Sequence, residues 1–326
     1  TASTRYPNAG SWMHNQGAYV LYQLKPKDNI YIQLGNRFNY RMLNAKFKPD
    51  EYYQFSFDEI SLNNSAYTAS GSVVYYDKKN WKYNLIFSTG FRAPNLDDVA
   101  KVFDSAPGKV IIPNQSLKPE YSKNIEFGLD KTFNEKLNFK FIVYQNHINN
   151  IIVRQEAQFE GQDSIFYDGV LSQVEQQTNS DKALIRGFSL NIRKEVNDNI
   201  AIKSTLNLNK GHDLSNEQPL SHIPPLFGTT RIIWKYKKVK MELLSIYNAW
   251  KYIDEYGPSS SDRKEEATKD GTPSWVIFDY NLKFKLNNNL RIITGVQNIF
   301  DIHYKPFSSG ISGPGRNVVF GIKGAF

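Results

Sequence analysis

The residues best suited to contact a ligand include two histidines that flank one polar stretch of the chain. His212 and His222 stand on either side of the segment DLSNEQPLS. An imidazole nitrogen is a common metal ligand, so this pair could contact a metal chelate that reaches the segment. Histidines in a polar segment are also typical of an ordinary solvated loop. His14 and His303 fall in predicted loops as well, and we assign them no role.

A second group of candidates consists of aromatic and cationic side chains in predicted loops. Tyrosine, tryptophan and arginine bind anionic or aromatic ligands through charge, cation–π contacts and stacking. The members are Tyr52, Tyr53, Arg92, Phe166, Tyr167, Trp250, Tyr252, Tyr256, Arg263 and Arg316. Two other interpretations stay open. The aromatic residues could simply pack the loops together, and Arg92 with Pro94 could organise the exit from a strand.

The sequence carries no signature of an enzyme. It has no glycine-rich phosphate loop after a strand, no HExxH motif and no nucleophile elbow, so we predict no catalytic residue, no bound metal and no cofactor. The formal net charge is +8, but the basic residues are spread along the chain rather than clustered. This spread argues against a groove for nucleic acid.

The elements that must position these candidates are strands, because the dominant period of the sequence is two. In YNLKFKL, Tyr280, Leu282 and Phe284 alternate with Asn281 and Lys283. The stretches YSKNIEFGLDKTF, LNFKFIVY, LIRGFSLNIRK and IAIKSTLNLN repeat the pattern. Each such segment predicts a strand with one apolar and one polar face, and we count about thirteen of them. No segment has the pattern of a long amphipathic helix.

Turns and loops between these strands alternate in length. The short turns are predicted at 25–28, 77–80, 134–136, 197–199, 236–238 and 287–289. The long loops are predicted at roughly 43–64, 91–120, 156–180, 212–225, 253–273 and 301–315. Up-and-down antiparallel strands place all short turns at one end of the sheet and all long loops at the other. No low-complexity linker divides the chain, so we predict one domain over residues 1–326.

An all-β, antiparallel, transmembrane up-and-down β-barrel fits these features. The chain has no apolar run of ~18 residues that would form a membrane helix, and its mean hydropathy of −0.52 suits barrel strands that are apolar on one face only. Tyr and Trp cluster near strand ends, as in VVYYD and PSWVIFDY, which is typical of aromatic girdles at a membrane surface. A soluble sandwich, lipocalin-like barrel or propeller is the alternative.

The last strand ends on an aromatic residue. In NVVFGIKGAF, Val318, Phe320, Ile322 and Phe326 share one parity. After a series of membrane strands, we interpret Phe326 as a C-terminal signal for the barrel-assembly machinery. An ordinary last strand that happens to end in phenylalanine is the other interpretation.

Five segments resemble the C-terminal half of TonB-dependent outer-membrane receptors, in the family's order. They are FSTGFRAPNLDDV (87–99), IPNQSLKPEYSKNIEFGLD (112–130), PLSHIPPLFG (219–228), GVQNIFDIHY (295–304) and GPGRNVVFGIKGAF (313–326). Each segment alone is a loose match to the family, whereas the five segments together are specific for it. Residues 1–86 resemble the family only in the general character of their sequence.

The resemblance implies a barrel of about 22 strands closed around an N-terminal plug in the outer membrane of a Gram-negative bacterium. It also implies uptake of a scarce, large ligand, driven by the TonB complex through an N-terminal segment. The thirteen strands would then be the last ones, with the plug and about nine strands outside this chain. Because open strand edges are costly in lipid, we expect the chain to pair with the rest of its own barrel.

The resemblance leaves the imported ligand open. An iron–siderophore complex is the first hypothesis and haem the second. Haem receptors of this family carry an axial histidine between FRAP and NPNL motifs, whereas the corresponding stretch here, NLDDVAKVFDSAPGKVII, has none. Import of cobalamin, glycan or peptide, a passive porin-like barrel and a soluble all-β binding module are the further alternatives.

Overall fold

Thirteen long strands dominate the computed structural model, which describes residues 6–48, 57–106, 108–258 and 262–325. Counted over these residues, the strands of eight or more residues are β1 (Ser11–Lys27), β2 (Ile30–Lys46), β3 (Glu59–Tyr76), β4 (Trp81–Arg92), β7 (Glu120–Phe133), β8 (Leu137–Glu156), β10 (Val170–Glu195), β11 (Ile200–Asp213), β13 (Phe227–Tyr236), β14 (Val239–Asn248), β17 (Trp275–Lys285), β18 (Leu290–Gln297) and β19 (Asn317–Gly324). Their number agrees with the count made from the period-two pattern.

Each long strand pairs antiparallel with the next long strand along the chain, from β1 to β19. The sheet therefore has the predicted up-and-down topology. Within the described residues, β1 pairs only with β2 and β19 only with β18, so the sheet has two open edges and the barrel is not closed.

The short turns all lie at one end of this sheet, as predicted. They join β1 to β2, β3 to β4, β7 to β8, β10 to β11, β13 to β14 and β17 to β18 through residues 28–29, 77–80, 134–136, 196–199, 237–238 and 286–289. Asn and Asp side chains close several of them. Asp77 accepts from the N–H groups of Lys79 and Trp81, both at 2.8 Å. Asn197 and Asn287 do the same in their own turns.

The long loops at the opposite end contain structure of their own. Among their described residues are the helix α1 (Leu96–Val99), the 3-10 turns Ile253–Glu255 and Lys264–Glu266, and several short strands. These strands are β5 (Phe103–Ala106), β6 (Lys109–Ile112), β9 (Ser164–Tyr167), β12 (Gln218–Pro219), β15 (Lys251–Tyr252) and β16 (Gly271–Thr272). β6 runs parallel to the outer part of β10, with Val110 beside Val174.

Two predicted loops are partly wrong. The predicted loop 43–64 overlaps the end of β2 at Lys46 and the start of β3 at Glu59. The predicted loop 156–180 is strand from Val170 onward. The outer part of β10 lacks apolar alternation, yet it pairs with β8, β9 and β6. Beyond the membrane a strand needs no lipid-facing side, so hydropathy gives no period-two signal there.

The sheet carries an apolar face that nothing in the described chain covers. On β19, Val318, Phe320 and Ile322 are 72%, 69% and 64% exposed. Near the short turns this face carries rings in contact, such as Trp81 with Phe133 at 5.8 Å between centroids. Lipid accounts for this exposure, because barrel strands turn apolar side chains outward between aromatic girdles. Phe326, which we interpreted as an assembly signal, lies outside the described residues.

Buried packing concentrates at the long-loop end. One cluster joins Leu43, Ile60, Val99 and Leu117, and a second consists of Val102, Val110, Ile112, Ile165, Tyr167 and Val174. The loops are thus held by small cores of their own rather than by a core inside the sheet. No helix in the described part of the chain is long and apolar enough to cross a membrane.

Candidate ligand-binding site at the long-loop end

The candidate residues that the structure describes lie at the long-loop end of the sheet, in loops or at strand ends. Tyr52 and Tyr53 fall outside the described residues. The others differ strongly in exposure. Phe166 and Tyr252 are 72% and 58% exposed, whereas Tyr167 and Tyr256 are 7% and 5% exposed. Alternation in β9 explains the first contrast, because Phe166 and Tyr167 point to opposite faces of that short strand.

One cavity of about 310 Å³ opens on the side of the sheet that carries its polar face. β8, β10 and the loop 214–226 form its walls, and the residues that line it include Ile151, Arg154, Asp213, Leu220 and His222. Asp213 is fully buried at the end of β11. Burial alone would raise its pKa, but hydrogen bonds from Asn216, Ser180 and the backbone N–H groups of Ser215 and Asn216 outweigh this and lower the pKa.

A buried ion pair network stands beside this cavity. Glu175, only 1% exposed, lies 3.4 Å from the Nζ atom of Lys109 and 3.9 Å from the guanidinium of Arg154. Each cation comes from a different element, β6 and β8, so the carboxylate ties both to β10. A buried carboxylate needs such partners because its desolvation is costly. We therefore assign Glu175 to the structure of the loop end.

A second cavity of about 530 Å³ lies next to the first, and Pro219 and Ile223 line both cavities. His212 and the cations Lys210 and Lys251 line it. The two histidines therefore open into different cavities. Lys210, which shares the strand β11 with His212, forms an ion pair with Glu255.

Loop-to-loop contacts place Lys251 and Tyr256 inside the packed loop layer. The Nζ atom of Lys251 donates to the carbonyl of Ile223 at 2.9 Å and lies 5.1 Å above the ring of Phe307. Burial lowers the pKa of Lys251, and Glu255 and Asp262 partly oppose that shift. Tyr256 packs edge-on against Phe307 at 5.3 Å. Tyr256 therefore packs within the loop layer, which agrees with the second interpretation given above for the loop aromatics.

His222 is engaged by its neighbours. Its backbone N–H donates to Asp262 at 2.6 Å, and its Nδ1 atom lies 2.9 Å from the hydroxyl of Ser308. Its φ of 62° lies in the left-handed region. Asp262 also accepts from the N–H of Gly257 at 2.8 Å, so His222 helps to join the loops 214–226, 249–274 and 298–316.

The three candidate arginines all have structural partners. Arg92 binds Asp98 at 2.6 Å and Glu120 at 2.9 Å, which fixes the exit from β4 above α1. Arg263 pairs with Glu266 at 2.7 Å. Lys305 and Arg263 hold the pKa of Glu266 below its usual value through hydrogen bonds. The Nε atom of Arg316 donates to the carbonyl of Ile299 at 2.9 Å, within the loop 298–316.

At the long-loop end, the exposed aromatic rings are the side chains most open to a ligand. Trp250 lies 6.1 Å from Tyr252 between ring centroids, and its indole N–H donates to the carbonyl of Asp270 at 3.2 Å. The indole is thus anchored while the ring of Tyr252 stays open. Phe166 offers a further exposed ring on β9. These rings can stack on flat or apolar ligands.

The opposite half of the sheet carries a polar wall that we did not predict from the sequence. Arg37, Asn39 and Arg41 share one face of β2 and line a cavity of about 550 Å³ with Asn15 and Arg92. Arg37 donates to Asn39 at 2.5 Å, and Arg41 donates to the carbonyl of Ala93 at 3.3 Å. The signal was present in the sequence, because the segment RFNYR places all three polar residues on one parity.

Comparison with known proteins identifies the family to which this architecture belongs. Residues 2–299 match a family model described as TonB dependent receptor-like, beta-barrel. The chain is 24% identical over 308 residues to the hemoglobin and hemoglobin-haptoglobin-binding protein of Haemophilus ducreyi, covering 81% of this chain and 31% of that protein. It is 26% identical over 247 residues to probable hemoglobin and hemoglobin-haptoglobin-binding protein 4 of Haemophilus influenzae, covering 69% and 24%. The chain thus spans about a third or less of these relatives.

Among solved structures, the copper transporter OprC superposes with a TM-score of 0.78 over 97% of this chain and 48% of its own. The sequences are 16% identical, so this likeness concerns the fold.

Proposed function

We propose that this chain, which belongs to the TonB-dependent receptors of the Gram-negative outer membrane, forms part of a transporter that imports iron as haem taken from a haemoglobin-type protein. One observation carries the proposal. Both sequence relatives, aligned over 81% and 69% of this chain, are named for binding hemoglobin and hemoglobin–haptoglobin. The family consists of receptors and transporters, so we propose binding and translocation rather than catalysis.

The chemistry of the long-loop end supports this choice of ligand. Haem is a flat, apolar macrocycle with two carboxylates. The exposed rings of Phe166 and Tyr252 suit its faces or an apolar patch on a globin, and Lys210 is a cation beside the cavity of His212. Because the stretch between FRAP and PNQSL has no histidine, His212 and His222 are the candidates for an iron ligand at this end.

The remaining parts of the transporter would lie outside this chain. We propose that the rest of the barrel and a plug come from the same polypeptide, that an N-terminal segment contacts the TonB complex, and that the barrel-assembly machinery inserts the product. An iron–siderophore complex, cobalamin, a glycan or a peptide would use the same architecture. A passive porin-like barrel would need neither plug nor TonB.

Growth under iron limitation separates these functions. The full gene is deleted, and the mutant is supplied with haemoglobin, free haem or a ferric siderophore as its iron source. We expect loss of growth on haemoglobin, retained growth on the siderophore, and restoration by the wild-type gene. Normal growth on haemoglobin with loss on the siderophore would instead identify a siderophore receptor.

Complementation with point variants then tests the exposed rings. We expect Phe166→Ala and Tyr252→Ala in the full receptor to weaken haemoglobin binding roughly tenfold each, because exposed aromatic anchors often dominate an interface. Surface abundance should be unchanged. The matched control is the buried Tyr256→Phe, which keeps the contact with Phe307 and should bind normally. Binding that is insensitive to both exposed rings would place the globin contact elsewhere.

A further inference from the structure

The lipid-facing side of the sheet carries three cations close together near the long-loop end. They are Lys123 of β7 and Lys182 and Arg186 of β10, and all three side chains are exposed. The strand registers from β7 to β19 place them on the same side of the sheet as Val318, which is 72% exposed on the apolar face. We call these three residues the basic triangle.

The basic triangle surrounds a strip of polar side chains on β8, the strand between β7 and β10. Lys123 lies directly opposite His147, and Arg186 and Lys182 lie opposite the residues two positions before and after it. The strip consists of Gln145, His147 and Asn149. At about 4.8 Å per strand and about 3.4 Å per residue, the three cations are roughly 12–14 Å apart between Cα atoms. Their long side chains can therefore converge on one group that lies above the strip.

The basic triangle begins where the apolar surface of the same strands ends. On β7 the exposed side chains of Phe127 and Ile125 precede Lys123 on this side of the strand. On β10 the apolar series ends at Phe188, and the next residue on this side is Arg186. The long loops of an outer-membrane barrel face the outside of the cell. The basic triangle therefore lies at the outer boundary between hydrocarbon and lipid headgroups.

Acidic residues of the described chain do not balance this charge. Over the described strands β7, β8, β10 and β11, the lipid-facing side carries no Asp or Glu. Among the described residues, no cation of the basic triangle forms an ion pair. Glu255 pairs instead with Lys210, which lies directly opposite Arg186 on β11. Because like charges opposite one another destabilise a sheet, this arrangement indicates an anion from outside the chain.

The first four strands show that this charge is a local feature. Thr89 of β4 lies directly opposite Lys123 and contacts Ala69 of β3. The same row continues through Asn36 of β2 to Val20 of β1. None of these side chains is charged, so the boundary with the headgroups does not by itself require cations.

We propose that the basic triangle binds the phosphorylated sugar headgroup of a glycolipid of the outer leaflet, of the lipid A class. Phosphate groups accept short, charge-assisted hydrogen bonds from lysine and arginine, and cations beside an anionic lipid surface bind it electrostatically. Gln145 and Asn149 suit the sugar hydroxyls. The acyl chains would lie along Ile125, Phe127 and Val143, which are exposed directly below. This continuous apolar surface favours a lipid over a small free anion.

Charge removal in the full-length receptor tests the site. The triangle variant carries Lys123→Gln, Lys182→Gln and Arg186→Gln. The matched control removes three exposed lysines at the short-turn end, Lys78→Gln, Lys136→Gln and Lys194→Gln. Binding of lipid A to each purified receptor in detergent is measured by native mass spectrometry. We expect the triangle variant to bind roughly a hundredfold more weakly and the control to bind normally, because each cation beside a charged lipid surface contributes about a factor of five.

The wild-type receptor gives a second readout that does not depend on a variant folding. After removal of bound lipid it is titrated with lipid A that carries two phosphates, with dephosphorylated lipid A, with phosphatidylglycerol and with inorganic phosphate. We expect the phosphorylated lipid A to bind more tightly than the other three, and high salt to weaken its binding.

Equal binding of lipid A by the triangle variant and the wild type overturns the proposal. So does equal binding of dephosphorylated lipid A, phosphatidylglycerol or inorganic phosphate by the wild type. An acidic polypeptide that the receptor retains at the basic triangle in place of lipid would overturn it as well. Neither readout depends on which ligand is imported, so a failure here is distinguishable from a failure of the proposed import.

Discussion

Asn298 shows how a residue in a family-like segment serves the fold. It is 2% exposed and adopts a left-handed conformation with φ of 47°, which asparagine tolerates better than most residues. Its Nδ2 atom donates to the carbonyls of Ile302 at 2.8 Å and Pro314 at 3.1 Å, and its Oδ1 atom accepts from the N–H of Ile302 at 2.9 Å. One side chain thus joins the start of the loop 298–316 to its end.

Replacement of this side chain should loosen that loop. We expect Asn298→Ala to lower the free energy of local opening by about 1–3 kcal/mol, because it removes the three hydrogen bonds that this buried amide makes to the backbone of Ile302 and Pro314. Hydrogen exchange of residues 298–316 in the full receptor measures the change. Asn317→Ala is the control, since Asn317 is exposed and its side chain donates to that of Gln297 at 3.2 Å. Equal effects of the two variants would contradict the structural role.

The other family-like segments have similar structural roles. In FRAP, Arg92 binds Asp98 and Glu120. In PNQSL, Asn114 donates to the carbonyl of Gln177 at 2.8 Å. These contacts explain why sequence motifs revealed the family but not the ligand. The motifs specify how strands enter and leave the long loops, whereas a ligand would meet exposed rings such as Phe166, which lie outside every motif.

At the scale of elements, a strand could be predicted from the sequence where its side chains alternate between an apolar and a polar face. Strands with a lipid face alternate in the sequence, so their number and short turns followed from pattern alone. The outer parts of β8 and β10 have no lipid face, and pairing rather than hydropathy makes them strands. The placement of His212 and His222 in separate cavities could not be predicted either, because one lies in β11 and the other in a loop whose path depends on Asp262 and Ser308.

The end of β11 should respond to acid. Asp213 accepts from Ser180 of β10 at 2.8 Å and from the N–H of Ser215 at 2.9 Å, so its carboxylate joins two strands to the turn that follows. Its pKa is lowered in the folded state. The unfolded state therefore binds more protons over the window between the two pKa values. The stabilisation is complete above the ordinary pKa of 3.8 and is lost as the pH falls through the lower folded value.

This predicts a transition at low pH that one substitution removes. We expect proteolytic protection of residues 213–217 in the full receptor to be constant from neutral pH to about pH 4 and to fall below it. Asp213→Asn should lose about 1–3 kcal/mol of local stability at neutral pH and show no such transition. The exposed Asp181→Asn is the control. An unchanged acid transition in Asp213→Asn would assign the titration to another group.

At the scale of the whole molecule, the two open edges dominate. β1 presents one edge along 17 residues and β19 presents the other along 8. Every residue of β1 is exposed, since the strand has a single neighbour in the described chain. Unpaired backbone groups in hydrocarbon cost several kcal/mol each. The favourable outward face and the costly edges belong to the same strands, so the sheet is suited to lipid only when both edges find partners.

The isolated chain should therefore fail to form a membrane barrel. Residues 1–326 are expressed behind an outer-membrane signal, beside the full-length gene and beside co-expression of this chain with the remainder as a separate piece. We expect a heat-modifiable, protease-resistant band from the full-length protein and from the co-expressed pair, and degradation of the chain alone, because only added strands can satisfy β1 and β19. A heat-modifiable band from the chain alone would mean that β1 and β19 pair with each other and that thirteen strands close a smaller barrel.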